Sequence, residues 1–395
     1  MVPSHEPEIG KSFYRIPRLS GLIVGIWPVK RRSCTMNLIC AFSFCVVLIG
    51  ACGENLYGCA NLDILVRALE AFCPGSTKAV CVLKLSIFLM HHRQWFELVE
   101  RLRATLYSNR SYEAQKLLVG ISTVANRLSL LLLSSGSLTN MAFNVQPLIM
   151  ALYRWIYELP GQVELPFNIL LPEFATQPAS FPLTYLLLTA SGACTVFTFS
   201  FVDGFFLCSC LYISGVFRVI QQDIRSIFVP LDGLEIYTPL ANARMRGQLV
   251  GIIKRHNAII DLCTDLTRQF TVIVMMHFLS AAFVLCSTIL DIMLNTSSLS
   301  GLTYICYSVA ALTQLFLYCY GSNHVSESSL SVAGTLYDVA WYKCDVRTRK
   351  MILMILRRSQ REKTIAVPFF TPSLPAFSSI LSTTGSYIAL LKTFL

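Results

Sequence analysis

Residues 65–90 read LVRALEAFCPGSTKAVCVLKLSIFLM, an apolar run interrupted by Arg67, Glu70, Lys78 and Lys84. A helix of about 20 mostly apolar residues crosses the hydrocarbon of a bilayer, so length admits this segment while its charges argue against it. The fold turns on that choice. If the segment crosses, every later segment changes sides with it.

On either side lie six windows free of Asp, Glu, Lys and Arg, at 33–53, 128–153, 174–202, 269–290, 292–326 and 364–391. The placement of the basic residues settles the doubtful one. With residues 65–90 counted as a crossing, the N-terminal segment and segments 91–126, 218–268 and 321–363 share one side and hold 26 of the 32 Lys plus Arg, whereas the opposite segments hold only Arg154 and Lys392. Cytoplasmic loops carry such an excess. Without the crossing, Arg93, Arg101, Arg103 and Arg110 would fall outside.

The sequence therefore predicts an all-α integral membrane fold of seven transmembrane helices, with the N-terminus cytoplasmic and the C-terminus extracellular. The spans fall at about 33–53, 65–90, 128–153, 183–217, 269–291, 298–320 and 366–391, the fourth running on past Asp203. Residues 1–35 form a cytoplasmic N-terminal segment and 36–395 one membrane domain. The charges of span two turn toward other helices or a wet cavity, because an ionisable group facing lipid is costly. Asp203 is the sharpest buried charge elsewhere, with Arg127 or Lys84 as candidate partners in a structural role.

Composition agrees. The chain is 54% hydrophobic and 14% charged with a mean hydropathy of +0.58, against about 25% charged residues in a soluble domain. Its net charge of +10 does not form one basic patch interleaved with aromatics, which argues against nucleic acid as a partner. The 15 cysteines mostly lie in apolar runs and read as small buried hydrophobes rather than a disulfide framework. No C-x-x-C occurs and no histidine cluster completes Cys208-x-Cys210, so no metal is expected. Residues 1–35 are polar and basic, so the first apolar run acts as its own signal anchor. Neither a nucleophile motif nor a phosphate-binding glycine loop appears, so neither an enzyme nor a cofactor is expected.

Between Arg349–Lys350 and Arg357–Arg358, the stretch 351–356 is apolar but too short to span and reads as a cytoplasmic helix leading to the last crossing. The sequon at Asn295 falls in a predicted outer loop and is a glycosylation candidate, whereas that at Asn109 falls inside. A G-protein-coupled receptor also has seven helices but keeps its N-terminus outside. Here the order is inverted, and D-R-Y and N-P-x-x-Y are missing at the corresponding places.

The last quarter then carries Tyr318-Cys319-x-Gly321, Ser326, Leu330, Tyr337 and Trp341, followed by Ser378-x(7)-Ser386-Tyr387-x-x-Leu390-Leu391. Ahead of it, Arg154, Leu159-Pro160, Pro166-Phe167, Pro172 and Tyr185 give a Pro- and aromatic-rich loop. In this order the elements resemble the insect odorant receptors, over the whole chain and most strongly at its end. Residues 218–268 lack the long insertion of that family's shared co-receptor, so the chain resembles an odour-tuned subunit.

The resemblance implies a ligand-gated, non-selective cation channel subunit in the cell membrane, in dendrites of olfactory sensory neurons. It also implies a hetero-oligomer, a tetramer with the odorant co-receptor, that detects small volatile ligands. A gustatory receptor-like channel, or a seven-helix receptor signalling through another protein, is the alternative. By similarity Leu390 falls at the gate, Thr393 at the outer filter and Tyr387 just below them, and Tyr318, Gly321, Tyr337 and Trp341 at an intersubunit anchor. A last span with Ser378, Ser379, Ser382, Thr383, Thr384 and Ser386 among apolar residues suits a water-lined helix, closed by a hydrophobic constriction. Packing within the chain stays open for both groups.

The family's odorant pocket lies in the outer half of spans two, three, four and six. That places Phe72 on span two, Asn140, Phe143 and Asn144 on span three, Tyr185 and Thr189 on span four, and Tyr304 and Tyr307 on span six in it. Tyr304 and Tyr307 are three apart and share a helical face. An aromatic pair of this kind also serves ordinary packing.

Overall fold

Ser33 begins the membrane domain by accepting a hydrogen bond from the Met36 N–H at 3.2 Å, the arrangement that satisfies an otherwise orphaned helix donor. From there the chain is almost wholly helical. The computed structural model describes residues 12–107, 111–160, 163–228, 236–294, 298–368 and 370–394. Its principal helices are α1 Arg15–Ile23, α2 Cys34–Ala60, α3 Leu65–Met90, α4 His92–Tyr107, α5 Tyr112–Ile156, α6 Phe181–Phe228, α7 Pro239–Leu294, α8 Ser298–Asp338, α9 Val346–Ser359 and α10 Leu374–Phe394.

Six of these, α2, α3, α5, α6, α7 and α8, are long and apolar enough to cross a membrane. The seventh predicted span, 366–391, overlaps α10, which is 21 residues long and begins only at Leu374. Helices α6 and α7 run for 48 and 56 residues, so at about 1.5 Å per residue each is more than twice the hydrocarbon thickness. Much of the sequence between the predicted spans is therefore helix continuous with them.

Helix α6 is the axle of the bundle, with α1, α2, α3, α5, α7 and α8 packed around it. From Thr198 to Phe217 every residue is buried. Small residues permit this enclosure. A Cβ at Gly204 would stand 3.0 Å from the Pro17 ring, so α1 reaches the α6 backbone only because that position is glycine. The hydroxyl of Tyr14 meets Ser209 at 2.5 Å and Ser20 meets Ser200 at 3.0 Å, which fastens α1 in place.

Around this axle the core is aromatic. Phe88 stacks on Trp95 with centroids 4.2 Å apart, and Phe201, Phe205 and Phe270 close on the pair edge-on. Within it, Lys84 Nζ lies 2.5 Å from Asp203 Oδ1, and Tyr318 donates its hydroxyl to the same oxygen at 2.6 Å. Of the two candidate partners for Asp203, the fold selects Lys84.

Beyond the predicted spans, Asp345 caps α9 by accepting from the Thr348 N–H at 2.8 Å and pairs with Arg246 of α7 at 2.7 Å. The Thr348 donors hold its carboxyl below the usual range. Nearby His256 is buried against Phe217, and burial pushes its pKa down to about 4, so it packs as a neutral ring. All fifteen cysteines are free, and Cys45 and Cys286 face outward rather than into the core.

Candidate ligand-binding cavity

Pro74 lies inside the continuous helix α3, where the proline leaves one backbone donor missing. A cavity opens beside it, between α3, α5, α6 and α8. It holds about 610 Å³ free of protein atoms, of which about 80 Å³ admits the centre of a water-sized sphere. Phe143, Phe167, Phe199 and Tyr307 form its aromatic walls, with Leu132, Val196 and Ala310 between them. Phe167 comes from the connection between α5 and α6 and closes the cavity, stacked on Phe143 with centroids 5.3 Å apart.

Most of the polar groups at the wall are already committed. Thr139 donates to the Cys306 carbonyl at 3.1 Å, Thr195 to its own helix at Ser191, and Ser200 pairs with Ser20. Asn140, Gln314 and Lys78 are further polar side chains of the lining. Lys78 forms a buried ion pair with Glu54 of α2 and places its ammonium over the Phe167 ring, 3.7 Å from the centroid. A largely apolar, partly open space with a few convergent polar groups suits a small, mostly apolar ligand that carries one hydrogen-bonding group.

Of the eight pocket candidates, Asn140, Phe143 and Tyr307 line the cavity. Asn144, Tyr185 and Thr189 form a hydrogen-bonded layer next to it. Asn144 donates to the Asn140 carbonyl at 2.7 Å, Thr189 donates to the Asn144 side chain at 2.7 Å, and Tyr185 donates to the Asn144 carbonyl. Tyr304 packs edge-on against Phe143 at 6.4 Å, and Phe72 lies against Gly58 of α2. The Tyr307 ring faces the cavity while its hydroxyl bonds to the Cys73 carbonyl at 3.1 Å and to Thr77, so that hydroxyl ties α8 to α3 beside Pro74.

The sequence named Phe167 only as part of the Pro- and aromatic-rich loop and Lys78 only as one of the span-two charges turned toward other helices or a wet cavity; it did not single out Glu54, Phe199, Gly192 or Gln314. Gly192 has a steric role, since a Cβ there would come within 2.0 Å of Asn140 Oδ1. Below the cavity, Thr77, Phe199, Tyr307, Ala310 and Gln314 form a wall shared with a second, smaller space that reaches His277.

Of the four anchor candidates, Tyr318 is 1% exposed and bonded to Asp203, and Gly321 lies against Cys210 of α6. Tyr337 is exposed and Trp341 half-buried. Tyr387, Leu390 and Thr393 belong to α10, but their side chains lie outside the described residues, as does Asn295.

Membrane-length helices around a largely apolar cavity define a polytopic membrane protein by length and composition. Residues 64–385 match the family described as 7tm Odorant receptor. The chain is 70% identical to Odorant receptor 22c of Drosophila melanogaster across the full length of both, and 35% identical to that fly's Odorant receptor 10a over 97% of this chain and 96% of the relative. Its fold matches the insect olfactory receptor OR5 from Machilis hrabei with a TM-score of 0.79 at 15% identity, covering 96% of each chain. The same receptor in complex with eugenol matches at 0.75, over 98% of this chain and 97% of that one. The chain belongs to the insect odorant receptor family and is an integral membrane protein of olfaction, a receptor and not an enzyme.

Proposed function

We propose that the protein is an odour-tuned subunit of a ligand-gated, non-selective cation channel that works with the odorant co-receptor in a hetero-oligomer, a tetramer around one pore. Small volatile odorants occupy the cavity between α3, α5, α6 and α8, and α10 lines the pore with Leu390 at the gate, Thr393 at the filter and Tyr387 below. The N-terminus is cytoplasmic and the C-terminus extracellular, which the one-sided distribution of basic residues supports. The setting is the dendritic membrane of olfactory sensory neurons, with Asn295 glycosylated on the outer side.

One observation carries this proposal. Helix α8 lines the cavity through Tyr307 and Gln314, and half a turn further on its Phe316 meets Phe377 of α10 with centroids 5.5 Å apart. A second contact, Phe278 of α7 on Phe370 at 4.6 Å, reaches the segment just before α10. A ligand that shifts α8 thus has a packed route to the last helix. A likeness to a receptor solved with eugenol adds that a small aromatic molecule suits this fold.

The test is current recording in cells expressing the chain with and without the co-receptor, across an odorant panel. Currents are expected only with both subunits, and Leu390→Ala is expected to raise the ligand-independent current by weakening a dewetted closure. Silence across the panel with both subunits at the surface, or an unchanged basal current in the variant, counts against the channel role or the gate respectively.

A further inference from the structure

Helix α1 has two faces. The inner one, with Tyr14, Pro17, Ser20 and Gly21, is spent on α6. Its outer one presents Arg15, Arg18, Leu19 and Leu22 to a groove whose far wall is Thr123, Asn126, Arg127 and Leu130 of α5. About 750 Å³ is open to water-sized spheres there, far more than in the ligand cavity.

This groove is built rather than incidental. Asn126 donates to the Ser12 carbonyl and accepts from the Ile16 N–H at 3.3 Å, and Ser122 bonds Ser12 at 2.9 Å, so the two walls are fastened at a fixed distance. Three arginines line it and no Asp or Glu does. Among the described residues none of the three forms an ion pair, although other arginines of the chain do. The rest of the lining mixes Ser12, Thr123 and Asn126 with apolar side chains, of which Leu19 is 54% exposed and Leu130 52%.

Arg127 borders the apolar window that begins at Leu128, on the side where the basic residues concentrate. The groove therefore lies where headgroups meet hydrocarbon, on the flank of the bundle. Unpaired guanidinium groups at that depth call for an anion, and their planar forks match phosphate oxygens two at a time. Leucines beside them call for an acyl chain.

We infer that the groove between α1 and α5 binds the headgroup of an anionic phospholipid of the cytoplasmic leaflet, a phosphoinositide, with Arg15, Arg18 and Arg127 on its phosphates and Leu19, Leu22 and Leu130 along its acyl chain. The cytoplasmic assignment follows from the proposed orientation; the lipid contact itself depends on neither ligand binding nor gating. A basic pocket at a helix crevice on this side of a membrane protein is where such lipids are recognised.

The experiment uses the purified full-length chain in nanodiscs of phosphatidylcholine with and without phosphatidylinositol bisphosphate, followed by native mass spectrometry of retained lipid. The wild type is expected to retain the phosphoinositide in preference to phosphatidylcholine. Each single change should lower retention by about fivefold, as roughly 1 kcal/mol per arginine implies, and the triple variant Arg15→Gln/Arg18→Gln/Arg127→Gln by about a hundredfold. These side chains are exposed, so the variants should keep the wild-type melting profile. A control variant, Arg93→Gln/Arg103→Gln/Arg349→Gln, removes equal charge elsewhere and should retain lipid as the wild type does. Equal retention by the arginine triple, equal loss in the control, or displacement of the lipid by soluble inositol trisphosphate at matched concentration would overturn the inference.

Discussion

Helix α3 carries two buried lysines six residues apart, Lys78 and Lys84, and each is paired with a carboxylate from another helix. Their surroundings differ. Lys84 and Asp203 are enclosed by the aromatic core, with Tyr318 and His277 also in contact, whereas Lys78 lines the cavity and holds the buried Glu54 behind it. In both pairs one carboxylate oxygen, Asp203 Oδ2 or Glu54 Oε2, is buried without a hydrogen-bond partner. The core pair has packed rings on all sides. Lys78 borders space that water or a ligand can fill, so under the proposed function the same chemistry would serve cohesion at one site and recognition at the other.

The largest expected effect breaks the core pair. Lys84→Met or Asp203→Asn alone leaves a buried charge or amide without its partner, a cost of about 3–5 kcal/mol for a broken buried pair. Surface biotinylation and the melting temperature in detergent should both fall sharply. Replacing both together, Lys84→Met with Asp203→Leu, should recover much of the loss, and failure of the double variant to do better than the singles would show that Asp203 matters chiefly through Tyr318.

At the cavity edge, Lys78→Gln should keep most of the surface expression, because Lys78 itself lines the cavity and water can enter the space its shortened side chain vacates. Its signature should be in ligand choice instead. Odorants with a carbonyl or hydroxyl acceptor should lose about tenfold in potency, the scale of one hydrogen bond to a charged group, while hydrocarbons change little. If Lys78→Gln vanished from the surface as completely as the Lys84 variants, the division between cohesion and recognition would not hold.

The smallest effect sharpens the picture. Tyr307→Phe removes the tie to the Cys73 carbonyl, about 0.5–1.5 kcal/mol net, and should shift all dose-response curves together without reordering the ligands. Tyr307→Ala also deletes a wall of the cavity and should reorder them. A ligand-specific loss in Tyr307→Phe would mean that the hydroxyl serves the odorant rather than α3.

The fold was largely legible because its signal is cumulative. Charge placement along the whole chain outweighed four awkward residues in α3, and the same reasoning put Asp203 within reach of Lys84. The cavity was legible only in part. Tyr304 and Tyr307 share a helix face by spacing, yet α8 is rotated so that Tyr307 reaches the cavity and Tyr304 packs beside it. Helix rotation is set by packing, which one sequence does not encode locally. Glu54 lies 24 residues from Lys78, and Phe167 arrives from an irregular connection, so neither had a periodic pattern to betray it.

The enclosed stretch of α6 from Thr198 to Phe217 also constrains how such a gene can vary. Each residue along a helix turns the chain by about 100°, so one inserted or deleted codon there would carry every later side chain to a new azimuth. Most membrane helices have a lipid side to absorb misplaced residues. This segment has none. Divergence among relatives should therefore proceed there by substitution at constant length, while insertions and deletions collect in the connections beyond the bundle.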